Sequence, residues 1–203
     1  KIKAAETIIF DLGGVVVDLD ISRSILAFGQ LGLSGLADEI GAGHHKGILS
    51  LLEKGFISED DFFRNVQSLS NKTLTVEDIE NGWNAMLVAL PPSRVRFLEK
   101  LKQEKPIILL SNTNSIHHRY FDGMASGYQS LSQLFNHVWY SYQMHLSKPD
   151  PEIFKRVLGF HGLKASATLF VDDSHINIEA AESVGLQTWH VKPGRGIDDV
   201  ARL

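Results

Sequence analysis

The sequence predicts an α/β protein: a parallel sheet covered by helices on both faces, with a small all-helical unit inserted after the first strand. Three observations predict it. Short apolar runs alternate with helical segments through the second half of the chain, the pattern of strand–helix–strand units in a parallel sheet. An isolated apolar run stands near the start, at residues 7–10. Between the two, from Ile21 to about Met86, the texture is helical throughout.

Taken in order, Thr7-Ile8-Ile9-Phe10 is short and unbroken by charge, which suits a fully buried strand. ISRSILAFGQLGL, GILSLLEKG, SEDDFFRNVQSL and TVEDIENGWNAML then carry apolar residues at three- and four-residue spacings, as amphipathic helices do. Two of these have clear starts. Ser58 precedes Glu59, Asp60 and Asp61, and Thr75 precedes Glu77 and Asp78, so each places acids in a first turn behind a capping hydroxyl. Pro91-Pro92 punctuates the chain, and Ser93 leads a helix to about Gln103. PIILLSN, HVWYS, ATLFVDD and LQTWHV read as strands, with helices between them at about 115–124, 151–161 and 175–184.

The 203 residues suffice for one good core and a smaller second unit. With 43% apolar and 22% charged residues the chain reads as globular rather than disordered. A net charge of -4 argues against a general nucleic-acid or anionic-membrane binder. There are no cysteines, so disulfides and thiolate metal sites are excluded, which fits a reducing, cytoplasmic setting. No apolar run approaches a membrane span, and no secretory signal is visible. The expected partner is therefore a small molecule, bound by a monomer or weak homodimer.

Three of the expected strands end in polar clusters. Phe10 gives way to Asp11, with Gly13 and Gly14 close behind; Leu110 gives way to Ser111-Asn112-Thr113-Asn114; Val171 gives way to Asp172-Asp173-Ser174. An aspartate at a strand end is commonly only a turn or cap residue. In an open parallel sheet, however, ligands bind beyond the carboxyl ends of the strands, which gathers these residues along one edge. Lys148, in the loop after HVWYS, joins the same edge. A single lysine is usually a solvated surface residue, but not in this company.

Three carboxylates facing one another repel unless a hard cation sits among them. Mg2+ takes a few carboxylates, several waters and a phosphate oxygen. A hydroxyl, an amide and a lysine then suit the remaining phosphate oxygens, and Asp11 is free to attack phosphorus. The glycines let backbone N–H groups approach the same oxygens. Phosphoryl transfer needs mostly positioning and charge stabilisation, and this inventory offers both.

FDLGGVVVD, LLSNTN, SKPDPEIF and FVDDSHIN resemble, in order and spacing, the four motifs of the haloacid dehalogenase superfamily of hydrolases. The likeness runs through nearly the whole chain. With DLGGVVVDLD and GWNAM it is similar to the subgroup containing alpha-D-glucose-1-phosphate phosphatase. The resemblance implies a three-layer Rossmann-like core, residues 1–17 and 90–203, and a helical cap, residues 18–89. By position it makes Asp11 the nucleophile, and Ser111 and Lys148 the phosphoryl ligands, with the Asn112 backbone beside them. It makes Asp11, Asp173 and the Gly13 carbonyl Mg2+ ligands, with Asp172 acting on the ion through water. The implied activity is that of a Mg2+-dependent phosphatase for a small phosphorylated metabolite, such as a sugar phosphate.

Most such phosphatases carry a second aspartate, the general acid, two residues after the nucleophile; here that position is Gly13. General acid–base catalysis is typically worth about 10²–10⁴-fold. The expected enzyme is therefore slow, or takes its proton elsewhere, or prefers good leaving groups such as the anomeric oxygen of a sugar 1-phosphate. A non-catalytic phosphate-binding protein remains the alternative, and a 2-haloacid dehalogenase a weaker one, because the Asp172-Asp173 pair speaks for a cation. Lys54-Gly55-Phe56 breaks two cap helices and is either a plain turn or a substrate contact. Gly55, Phe56 and Trp83 are expected substrate contacts in the cap, although Trp83 at helical spacing with Met86 and Leu87 also reads as cap core. The pairs His44-His45 and His117-His118 do not face one way on a helix, which counts against metal binding. Gly194-Arg195-Gly196 lacks the context of a nucleotide-binding loop.

Overall fold

A computed structural model describes residues 1–42, 46–192 and 194–198. The His44-His45 pair lies outside the described residues. The chain begins with β1 (Thr7–Phe10) and a short β2 (Asp18–Leu19). The helices α1 (Ile21–Gln30), α2 (Ser34–Gly41), α3 (Gly47–Glu53), α4 (Glu59–Leu69) and α5 (Val76–Asn84) follow. Then come β3 (Leu87–Ala89), α6 (Pro92–Glu104), β4 (Ile107–Ser111), α7 (Ser115–Asp122), β5 (His137–Tyr140) and α8 (Ser141–Met144). The chain continues through α9 (Pro151–His161), β6 (Thr168–Asp172), α10 (His175–Ser183) and β7 (Gln187–His190).

Five strands form a parallel sheet in the order β5-β4-β1-β6-β7. β1 is central, and every one of its residues is buried. Period-two alternation divides the core. Ile8, Phe10, Leu109 and Val171 face one way, toward Val95 and Leu98 of α6, Phe121 of α7, and the helical block through Phe28 and Leu52. Ile9, Ile108, Leu110 and Phe170 face the other way, toward Phe154 and Val157 of α9 and Ile178 of α10. The result is the three-layer α/β arrangement that the alternation of strands and helices predicts.

The helical block α1–α5 hangs between β2 and β3, which pair with each other in an antiparallel ribbon through Asp18↔Ala89 and Leu19↔Leu87. This ribbon corrects the reading of helical texture as far as about Met86: α5 stops at Asn84, and Leu87 enters β3. The single helix expected over residues 21–33 is also interrupted, at Gly32, where φ is +77°. The two expected starts are present. Ser58 Oγ accepts from the Asp61 N–H, and Thr75 and Asp78 cap each other reciprocally.

Candidate active site

The site is built where β1, β4 and β6 end side by side. Phe10 lies opposite Leu109 on β4 and Val171 on β6. The Asp11 N–H donates to the Val171 carbonyl at 2.9 Å, so the carboxylate leaves a fixed backbone. The chain then folds tightly. Val16 and Val17 N–H both donate to Leu12 C=O, and Gly14 N–H donates to Val17 C=O. The two glycines here do different things. Gly14 has φ +70°, and a Cβ on it would stand 2.1 Å from Asp173 Oδ2. Its missing side chain is what allows Asp173 to lie against the Asp11 turn. Gly13 is not left-handed; a Cβ there would meet Leu19 Cδ1 at 2.5 Å. Space beside the position of the absent general acid is occupied by an apolar side chain.

Lys148 joins the carboxylates. Its Nζ donates to Asp11 Oδ1 at 2.6 Å and to Asp172 Oδ2 at 2.8 Å. Lys148 is 3% exposed and Asp172 is fully buried. Burial opposes the Lys148 charge, yet Asp11 and Asp172 outweigh it and raise the lysine's pKa. Desolvation pushes Asp11 up to about 7, against the pull of Lys148 and with the repulsion of Asp172 and Asp173. Desolvation, then Asp172, pushes Asp173 up to about 6. Asp172 is held by the Ser174 N–H at 2.7 Å and by Asn177 Nδ2 at 3.1 and 3.2 Å.

Asp11, Asp172 and Asp173 each offer an oxygen, and these lie within 4.8 Å of one another. Three carboxylates against one ammonium leave two uncompensated negative charges when all are ionised, and burial makes that costly. A hard divalent cation with oxygen ligands fits both the donor set and the charge.

Ser111 ends β4 and is buried. The Asn112 side chain has a further role that the sequence did not suggest: Nδ2 donates to Lys148 C=O at 2.8 Å, and Oδ1 accepts from Lys148 N–H at 2.9 Å. It thereby fixes the loop that carries the lysine. Asn177 lies inside a recognised motif but gave no signal of its own, and neither did Ser141. Ser141 Oγ accepts from Thr113 N–H at 2.9 Å and donates to Glu53 C=O at 2.6 Å. That hydroxyl joins the helical block to two loops of the catalytic edge.

The turn at Lys54–Phe56 packs on this edge. Gly55 has φ +65°, and a Cβ there would stand 2.1 Å from the Tyr142 carbonyl oxygen. The Phe56 ring, 57% exposed, stacks on His145. Trp83 departs from the expected substrate contact and follows the core reading: it is wholly buried, stacked on Phe28 and packed on His117 at 4.5 Å. His117 pairs with Asn84 and His118 with Tyr142, in separate environments. Gly196 closes over the Arg94 guanidinium, where a Cβ would clash at 2.3 Å, so that turn has a packing role.

A family model for haloacid dehalogenase-like hydrolases matches residues 5–185. The chain is 31% identical over 195 residues to a D-ribitol-5-phosphate phosphatase of Bacteroides thetaiotaomicron, covering 95% of this chain and 94% of that protein. It is also similar to a haloacid dehalogenase family enzyme of the same organism, solved as an aspartate-to-alanine variant with magnesium and inorganic phosphate. The TM-score is 0.91 at 31% identity, with 98% of this chain and 100% of that chain covered. A predicted hydrolase of this type from Porphyromonas gingivalis superposes with a TM-score of 0.90 at 28% identity, covering 98% and 97%. Neither those relatives nor the geometry speak for the glucose-1-phosphate subgroup in particular. The chain belongs to the haloacid dehalogenase-like hydrolase family.

Proposed function

We propose that the protein is a Mg2+-dependent phosphatase that hydrolyses a small phosphorylated polyol or sugar through an aspartyl-phosphate on Asp11. The observation that carries this reading is the buried Lys148 ammonium shared between Asp11 and Asp172, with an oxygen of Asp173 within 4.8 Å of both carboxylates. A relative named for a sugar-alcohol phosphate, and another solved with magnesium and phosphate, support it.

On this reading Asp11, Asp172 and Asp173, together with the Gly13 carbonyl, would hold the ion. The ion, when bound, supplies positive charge against the phosphoryl oxygens. Asp11 attacks phosphorus. Lys148 holds Asp11 in position and neutralises charge as the leaving oxygen departs, and Ser111 and the Asn112 N–H bind the transferred phosphoryl. Asn112 fixes Lys148 through its side chain. The segment from Asp18 to Ala89 acts as a cap, and its Lys54–Phe56 turn contacts the leaving group and limits water at the reacting phosphorus. The absent acid at Gly13 favours an anomeric phosphate; the relative's name points to a primary ester. The substrate class is therefore a polyol or sugar monophosphate, with the carbon position left to measurement.

The test is turnover of para-nitrophenyl phosphate and of a panel of sugar and alditol phosphates. Phosphate release abolished by EDTA, restored by Mg2+ and lost in Asp11→Asn is the expected result. Binding of phosphate esters without release of product would favour a non-catalytic binding protein instead.

A further inference from the structure

His145 is the one non-glycine residue with a positive φ, +56°, among the described residues. A side chain in this left-handed region costs roughly 1–2 kcal/mol, so its surroundings must hold it there. They do so from the helical block. His145 Nδ1 lies 2.9 Å from the Lys54 carbonyl, which can only accept, so Nδ1 carries the hydrogen. The ring lies 5.7 Å from the Phe56 ring at an interplanar angle of 5°. Ser141, at the other end of the same short helix, is bonded to Thr113 and to Glu53 C=O. His145 thus stands where the Lys54–Phe56 turn meets the loop that delivers Lys148 to Asp11. Two residues, Leu146 and Ser147, separate His145 from Lys148, a span of at most about 11 Å between their Cα atoms. His145 is exposed, and with Nδ1 committed, Nε2 is the nitrogen left to exchange a proton.

We propose that His145 is the proton donor that replaces the absent side chain at Gly13. The inference rests on the phosphatase reading above. As imidazolium, His145 gives its Nε2 proton to the ester oxygen while the Asp11 carboxylate forms its bond to phosphorus and the phosphorus–oxygen bond to the leaving group breaks. The products are the free alcohol, the acyl phosphate on Asp11 and a neutral imidazole, still tied through Nδ1–H to Lys54. Water then attacks phosphorus and gives its proton to Nε2. The acyl phosphate bond breaks, phosphate leaves, and the Asp11 carboxylate and the imidazolium are restored. The cap turn is part of the device, because the Lys54 carbonyl sets which nitrogen carries the mobile proton.

The experiment is the dependence of kcat/KM on leaving-group pKa across aryl phosphates of similar size, extended to one alkyl phosphate, for wild type, His145→Gly and His145→Asn. Glycine relieves the φ of +56° and asparagine tolerates it, so both variants should fold, with melting temperatures as the check. The expected wild-type dependence is shallow, and steep in both variants. The alkyl ester should lose about 10²-fold or more relative to para-nitrophenyl phosphate, whose leaving group needs no proton. Equal losses on every ester, or an unchanged slope, would overturn the donor role and reduce His145 to a cap contact. The phosphatase reading fails separately, if Asp11→Asn keeps turning over the aryl ester.

Discussion

Gly14 and Gly13 are adjacent, yet the structure assigns them different sensitivities, and alanine at each position measures the difference. Alanine at Gly14 must adopt φ +70°, at a cost of roughly 1–2 kcal/mol. Its Cβ would also fall 2.1 Å from Asp173 Oδ2, so the carboxylate or the turn must move, at about 1–3 kcal/mol for overpacking. The lower entropy of the unfolded chain returns about 0.4–1 kcal/mol. The net loss is about 3 kcal/mol, or roughly 6–12 °C in melting temperature for a chain of this size. Alanine at Gly13 has no such strain, and it meets only the end of the flexible, partly exposed Leu19 side chain. Its effect should stay within about 1 kcal/mol of zero. Thermal unfolding of the two metal-free variants reads the stabilities, and calorimetric titration with Mg2+ reads the site. Gly14→Ala should weaken Mg2+ binding at least about 10-fold by displacing Asp173, and Gly13→Ala should weaken it less. Equal melting temperatures, or normal Mg2+ affinity in Gly14→Ala, would refute the reasoning.

Other outcomes follow from the same geometry. Asp11 and Asp173 keep their protons to about pH 7 and about pH 6 in the folded metal-free protein, but only to about 3.8 when unfolded, so the folded state binds more protons between these values. Metal-free stability should therefore fall as pH rises through this window, and Mg2+ should raise the melting temperature more at about pH 8 than at about pH 5; an equal Mg2+ effect at both would contradict the burial argument. Arg94, buried and bonded to Asp18, Asp198 and the Val16 carbonyl at 2.8–3.1 Å, ties the base of the β2–β3 ribbon to the core. Arg94→Ala should cost about 3 kcal/mol in a denaturant titration, and a loss below about 1 kcal/mol would place those ion pairs among weak surface contacts. Phe56→Ala should change kcat/KM unequally across a panel of phosphorylated polyols; equal losses on all of them would make Phe56 structural.

Much of this architecture was legible because it rests on local pattern. β1, β4 and β6 are apolar runs that end in acids or amides, and the carboxyl-edge rule for parallel sheets gathers Asp11, Ser111, Asp172 and Asp173 without knowledge of any contact. The β2–β3 ribbon was not legible. Its strands are two and three residues long, far apart in the chain, and Met86 and Leu87 continue the helical spacing of α5. Ser141, Asn177 and His145 were missed for a related reason. Each acts through hydrogen bonds or a ring contact with partners that the fold brings near, and a lone serine, asparagine or histidine carries no periodic signal. Trp83 shows the converse. A large aromatic beside a site motif suggests a binding platform, but its stacking on Phe28 inside the helical block buries it completely.

The central claim is that Asp11 becomes phosphorylated during turnover, and direct capture of that species tests it. Enzyme in excess over a rapidly cleaved aryl phosphate, quenched in acid within the first turnover and digested, should yield a peptide spanning residues 4–23 that carries one added phosphoryl group on Asp11. Borohydride reduction should convert that residue to homoserine, and the label should be absent from Asp11→Asn. Release of the aryl alcohol in a first turnover with no label on Asp11, or with the label on another residue, would contradict the account.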